Sequence, residues 1–117
     1  MRDHTNLRAF QLADEIALLI YQITQNFPKE EIYGLRSQIR RAAVSIPSNI
    51  VEGCTRHSQV EFVRYLEIAY GSLKEVDYQL SLAKRLGYLN GNDIAAYNPR
   101  IEETKKVLYS LLKSSRR

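Results

Sequence analysis

Five arginines near the middle of the chain offer its clearest chemistry. Arg36 and Arg40 stand four residues apart, so on a helix they share a face and can meet two phosphates along a nucleic-acid backbone. With Arg41, Arg56 and Arg64, and only Glu52 and Glu61 against them, they leave residues 34–64 with a net charge of +3. Lys105, Lys106, Lys113, Arg116 and Arg117 give residues 104–117 a charge of +5, and each of the two remaining segments carries −2. A basic face built from Arg36, Arg40, Arg41, Arg56 and Arg64 is therefore expected to hold RNA or DNA by its phosphates, with little sequence preference. Both clusters also have plainer readings. Cations in a last turn offset the negative end of a helix dipole, which accounts for Lys113, Arg116 and Arg117 as a solvated tail. Arg41, Ser45, Ser48 and Glu52 fall on one polar stripe, where Arg41 can pair within the subunit or across a subunit boundary.

Other polar and aromatic residues point to packing. Asn49 and Gln79 are amides in amphipathic segments, and a buried amide must be hydrogen-bonded, so both are candidates for fixing helix register or an oligomer contact. Exposed tyrosines beside arginines stack on single-stranded bases. Tyr65 and Tyr70, however, lie off an apolar stripe that is already complete and would serve a neighbouring subunit as a second face.

Catalytic constellations are missing. His4 and His57 are the only histidines, and of the metal-site spacings only Glu61, four residues after His57, is met. Asp14-Glu15, Glu30-Glu31 and Glu102-Glu103 are adjacent pairs that diverge on a helix. No glycine-rich phosphate loop, serine nucleophile motif or deaminase signature appears. The reading is non-enzymatic, with no cofactor and no metal; a pocket gathering Glu52, Asn49 and an arginine would revive an enzyme. Cys54, the only cysteine, allows no intramolecular disulfide and reads as a small half-buried hydrophobe suited to a reducing cytoplasm. The longest apolar run near the N-terminus, Ile16 to Tyr21, is far short of the ~20 residues of a membrane span, and no signal-peptide order precedes it. A soluble cytoplasmic protein is expected.

Helices must position these residues. The chain of 117 residues, 44% apolar and 26% charged with 5 glycines and 3 prolines, suits one domain of long helices over residues 1–117 and not an all-β sandwich. Its net charge of +4 permits an acidic partner without demanding one. Phe10, Ala13, Ile16, Ala17, Ile20, Ile23 and Phe27 predict a first helix ended by Pro28. Leu35, Ile39, Ala43, Ile46 and Ile50 predict a second, kinked at Pro47, with two short helices as the alternative. Gly53 suits a left-handed C-terminal cap. Ser58 and Glu61 have capping-box spacing and open a third helix, on which Phe62, Leu66, Ala69, Leu73, Val76, Leu80 and Ala83 alternate steps of four and three until Gly87. Gly71 inside it suggests a steric need at a helix crossing, within the chain by preference. Asn92 or Asp93 caps a fourth helix, whose stripe is Ile94, Tyr97, Ile101, Leu108 and Leu111. Asn98-Pro99 resembles a second cap that would break or bend it. Four such helices with short connections predict an all-α, antiparallel up-down four-helix bundle.

The middle of the chain also carries a family likeness. Tyr33-Gly34-Leu35, Ser37-Gln38-Ile39-Arg40-Arg41-Ala42-Ala43, Ser45-Ile46-Pro47, Asn49-Ile50 and Glu52-Gly53 begin it. Arg56, Ser58, Glu61-Phe62, Tyr65-Leu66, Ile68-Ala69, Gly71-Ser72, Glu75, Gln79-Leu80 and Leu86-Gly87-Tyr88-Leu89 continue it. Together they resemble the signature of the bacterial 23S rRNA intervening-sequence proteins, first noticed in reading frames inside intervening sequences of 23S ribosomal RNA genes. The resemblance implies a four-helix bundle that assembles as a homopentamer around a central channel. A related branch, the accessory variability determinant of diversity-generating retroelements, implies nucleic acid and a reverse transcriptase as partners. The expectation is a non-enzymatic, self-assembling scaffold or adaptor that binds nucleic acid through a basic face. A purely structural oligomer or protein–protein adaptor is the alternative, and neither reading involves a membrane.

Overall fold

Apolar positions three and four residues apart gather α1 (Arg8–Ile23), α2 (Leu35–Cys54), α3 (Gln59–Arg85) and α4 (Gly91–Ser115) around one buried cluster. The computed structural model describes residues 2–116. Among them the regular elements are all helical, with single 3-10 turns at His4–Asn6 and Lys29–Glu31 besides the four long helices. Each helix packs only against its two chain-order neighbours, with α4 returning to α1, and α2 and α3 share the longest seam. Cross-helix contacts run in opposite directions. Ser45 meets Ser72 and Gly53 lies against Tyr65, while Gln59 reaches Ser115 and Lys105 reaches Asp77. This is the antiparallel up-down bundle, 43 × 26 × 20 Å along its principal axes. Its long axis fits α3, whose 27 residues rise roughly 40 Å at 1.5 Å each.

The predicted stripes supply most of the core, with Phe10, Ile23, Ile94 and Leu111 only partly buried at its edge and Leu112 in place of Leu111 inside it. Ile16 and Ile20 from α1, Ile39, Ile46 and Ile50 from α2, Leu66, Leu73 and Leu80 from α3, and Ile101 and Leu108 from α4 are all fully buried. Leu66, Leu73 and Leu80 recur every seven residues, so α3 keeps one line of contact with its neighbours along its length.

The helix ends depart from the sequence reading in four places. First, α1 stops at Ile23, five residues before Pro28, with the backbone N–H of Thr24 still bonded to the carbonyls of Ile20 and Gln22. Phe27 still joins the core, its ring 5.3 Å from that of Tyr88. Second, Gly53 is no left-handed cap. It lies inside α2, and a methyl group there would stand 3.0 Å from Cβ of Tyr65, so glycine suits the close approach of α3. Gly87, with φ of +80°, is the left-handed residue after α3. Third, Asn90 caps α4, taking the N–H of Asp93 while the Asp93 carboxylate accepts from the Asn90 N–H. Ser58 makes half of the predicted box, accepting from the N–H of Glu61.

The fourth departure is at Asn98-Pro99, which does not begin a new helix, because α4 runs unbroken through Pro99. One helix likewise runs through Pro47, as the first of the two readings had it, and not two short ones. An interior proline costs about 3 kcal/mol. Burial of Tyr97 and Ile101 on either side of Pro99, at about 1.5–3 kcal/mol for each large side chain, offsets that cost.

Candidate nucleic-acid interface

The five arginines divide between the two ends of α2. Sixteen residues, about 24 Å of helical rise, separate Arg40 in the second turn of α2 from Arg56, which follows the other end of that helix. Arg36, Arg40 and Arg41 group at the N-terminal end of α2, and Arg56 and Arg64 group near the start of α3.

Their side chains are committed to different degrees. Arg40 is structural. Its Nε donates to the hydroxyl of Thr24 at 2.9 Å, a terminal NH2 donates to the carbonyl of Tyr21 at 3.1 Å, and the guanidinium lies 4.5 Å from the centre of the Tyr21 ring. The buried Thr24 hydroxyl in turn donates to the Ile20 carbonyl at 2.7 Å, so Arg40 and Thr24 together satisfy the C-terminal carbonyls of α1. Burial, with Arg36 nearby, lowers the pKa of Arg40 from the ordinary arginine value. Arg56 is also engaged. It pairs with Glu52 at 3.3 Å, donates to the Tyr65 hydroxyl at 2.9 Å and stacks 5.0 Å from that ring. Arg36, Arg41 and Arg64 make no ion pair and no side-chain hydrogen bond among the described residues.

The C-terminal basic cluster thins in the same way. Lys105 bridges helices, 2.5 Å from Asp77 of α3 and 2.9 Å from Glu102. Its hydrogen bonds to Asp77 and then Glu102 raise its pKa from the ordinary lysine value. Arg116 pairs with Glu67 at 3.1 Å, and Arg117 lies outside the described residues.

Of the residues expected to fix register, Ser45 bonds across the α2–α3 seam and Asn49 supports it. Ser45 and Ser72 share a hydrogen bond of 2.9 Å across it, and the Asn49 amide donates to the carbonyl and hydroxyl of Ser45 at 2.8 and 2.9 Å. Gln79 is buried on α3, where its Nε2 donates to Glu75 at 3.3 Å while its Oε1 has no partner. Glu52 pairs with Arg56, and Asn49 bonds back to Ser45. Tyr70 is half-buried with its ring 5.8 Å from Tyr109 of α4, and Tyr65 holds Arg56. Gly71 is exposed, with nothing within 4 Å of where a methyl group would stand, so no crossing inside the chain explains it. Burial pushes the Cys54 thiol up from its ordinary pKa.

A groove of about 410 Å³ opens where the α1–α2 connection meets α2. Tyr21, Ile32 and Tyr33 line one part of it, and Arg36, Ser37, Arg40 and Arg41 line the rest, with no carboxylate among them. Tyr33, 95% exposed, is the most exposed large hydrophobic residue of the fold. Tyr21, Thr24 and Tyr33 were not among the sequence candidates. Tyr33 carries a detectable signal, an aromatic in a short linker outside every apolar stripe; the pairing of Thr24 with Arg40 is tertiary and leaves none. Arg41 also borders a second, smaller groove on the α2–α3 face with Gln38, Ala42, Ser45, Ser72 and Glu75, without an ion pair to Glu75. Among the described residues no helix is long and apolar enough to cross a membrane, and no three His, Cys, Asp or Glu side chains gather to hold a metal.

Comparison with known proteins agrees with this geometry at the level of fold and family. No curated protein matches the chain. A crystal structure at 1.70 Å resolution of a protein of unknown function, from the S23 ribosomal protein family of Bacteroides thetaiotaomicron VPI-5482, superposes with a TM-score of 0.79. The two are 25% identical, over 90% of this chain and 95% of that one. The model of the 23S rRNA-intervening sequence protein family matches residues 5–110. Carried by that span and by the four-helix fold, the conclusion is that this chain belongs to the 23S rRNA-intervening sequence protein family.

Proposed function

We propose that the protein is a non-catalytic, self-assembling adaptor, a homopentamer in its working form, that holds RNA or DNA by the phosphate backbone. The observation that carries this reading is the division of its cations. Arg40, Arg56, Lys105 and Arg116 are tied to acceptors within the fold, whereas Arg36 and Arg41 are unpaired beside a groove without a carboxylate. An unpaired guanidinium offers a planar fork of donors that matches a phosphate bidentately, and Arg41 is exposed while Arg36 is half-buried. Arg64, also unpaired, adds a second basic point near the other end of α2. Repetition around a ring would make weak single sites strong by avidity.

Salt titration tests the reading. A labelled RNA strand is expected to bind at low salt, with log affinity falling linearly against log salt concentration. Arg36→Gln with Arg41→Gln should lower that slope by roughly 1.4 per engaged groove, at about 0.7 per single-strand phosphate. Absence of any association at low salt would remove the reading.

The alternative, a protein adaptor that binds no nucleic acid, draws on one observation. Val60, 79% exposed, and Val63 line a largely apolar groove of about 400 Å³ between the start of α3 and the end of α4. A reverse transcriptase or another protein is the kind of partner this alternative requires, and it predicts binding insensitive to salt and to the two arginine substitutions.

A further inference from the structure

Arg36 and Arg41 share their groove with aromatic rings, and phosphate contact alone gives the exposed one, Tyr33, nothing to do. Tyr33 is 95% exposed and sits in the α1–α2 connection, where it contributes little to the core. Tyr21, 45% exposed, is held differently: Arg40 covers its ring at 4.5 Å and is itself fixed by Thr24 and by the Tyr21 carbonyl. The groove thus combines one pre-positioned ring, one free ring and two unpaired cations in about 410 Å³. That volume lies within the range of small-molecule sites and suits a nucleotide unit. We propose that this groove binds one nucleotide unit of single-stranded nucleic acid, with the base stacked on Tyr33 against the Tyr21 side of the groove and the flanking phosphates on Arg36 and Arg41.

Charge and shape exclude the nearest competitors. An acidic peptide would satisfy the arginines and leave the Tyr33 ring idle. A duplex presents phosphates, but its bases are stacked on each other and offer no free face to a tyrosine. Base–aromatic stacking tolerates any base, so the site predicts strand selectivity without sequence selectivity. This inference rests on the phosphate-binding reading above and adds to it the strandedness and the residue that senses it.

The test is fluorescence anisotropy on the full chain at low salt, with a labelled unstructured strand of about 16 nucleotides, a duplex of the same length, and a free mononucleotide as competitor. The single strand is expected to bind more tightly than the duplex. Tyr33→Ala should weaken strand binding roughly 5- to 150-fold, the span found for losing one stacked base, and leave duplex binding unchanged, while Tyr33→Phe keeps the wild-type affinity. Arg36→Gln with Arg41→Gln should weaken both, and the mononucleotide should displace the strand only at high concentration. Because the chain has no tryptophan, tyrosine emission is visible, and its quenching by the strand should fall in Tyr33→Ala. Equal binding of strand and duplex, with Tyr33→Ala unchanged, would overturn the stacking site and leave the phosphate reading intact. Failure of both nucleic acids to bind would overturn both. A changed oligomer mass for Tyr33→Ala would assign Tyr33 to a subunit contact and overturn the site as well.

Discussion

Arg36 and Arg40 are the same residue type one helical turn apart, and they differ in what surrounds them. Arg40 reaches the end of α1, where Thr24 and the Tyr21 carbonyl wait; Arg36 finds no acceptor. Arg40→Ala is therefore expected to lower stability by about 1.5 kcal/mol, the lower end for hydrogen bonds to a charged group. Arg36→Gln and Arg41→Gln should leave the thermal midpoint within a degree or two. Chemical denaturation of the three variants separates the roles, and an unstable Arg36→Gln would show that its side chain is used by the fold. Two glycines make a similar contrast. Gly53→Ala forces a methyl against Cβ of Tyr65 and should destabilise by about 1–2 kcal/mol. Gly71→Ala meets open space and should stabilise the subunit by up to about 1 kcal/mol through helix propensity. Arginine spacing and the family likeness were legible before any coordinates. Which arginine is free was not, because it depends on the acceptors that the end of α1 presents to α2, the Thr24 hydroxyl and the Tyr21 carbonyl, and that contact is tertiary.

At the scale of helices, periodicity was the strongest signal and proline the most misleading one. The stripes through Ile39, Leu73 and Ile101 match the buried residues because α-helical spacing decides which side chains can reach one core. Pro99 read as a break because its local cost is large, but the burial around it belongs to the tertiary structure and is not visible in a dipeptide. Two contacts between elements carry a pH dependence. The Tyr88 hydroxyl donates to Glu31 at 2.9 Å, joining the α1–α2 connection to the α3–α4 connection, and that hydrogen bond raises its pKa above the ordinary 10.0. Lys105, held by Asp77 and Glu102, is likewise raised above 10.5. In both cases the protonated form is the one the native fold favours. Their stabilisation is fully present below about pH 10 and is lost as pH rises through the raised native values. Thermal midpoints should fall more steeply between about pH 10 and 12 in the wild type than in Tyr88→Phe with Lys105→Met. Identical slopes would contradict these assignments.

Outside the core, Leu18, Val60 and Tyr78 are each more than 60% exposed, on α1 and α3, and Ile68 and Val44 are partly exposed on α3 and α2. The proposed assembly would cover some of these side chains. Copies arranged around an axis would repeat the Tyr33 groove, and a strand long enough to reach two grooves would gain affinity without any new contact. Five copies carry five times the +4 charge of one chain, so the long-range attraction for a polyanion grows with assembly. Light scattering on a sizing column, with the absorbance of a bound single strand followed at the same time, measures assembly and cargo together. The account predicts a particle of about 68 kDa, five times the 13.6 kDa chain, that carries the strand at low salt and releases it at high salt. A 13.6 kDa monomer at every concentration, or a large particle that never carries the strand, would contradict it.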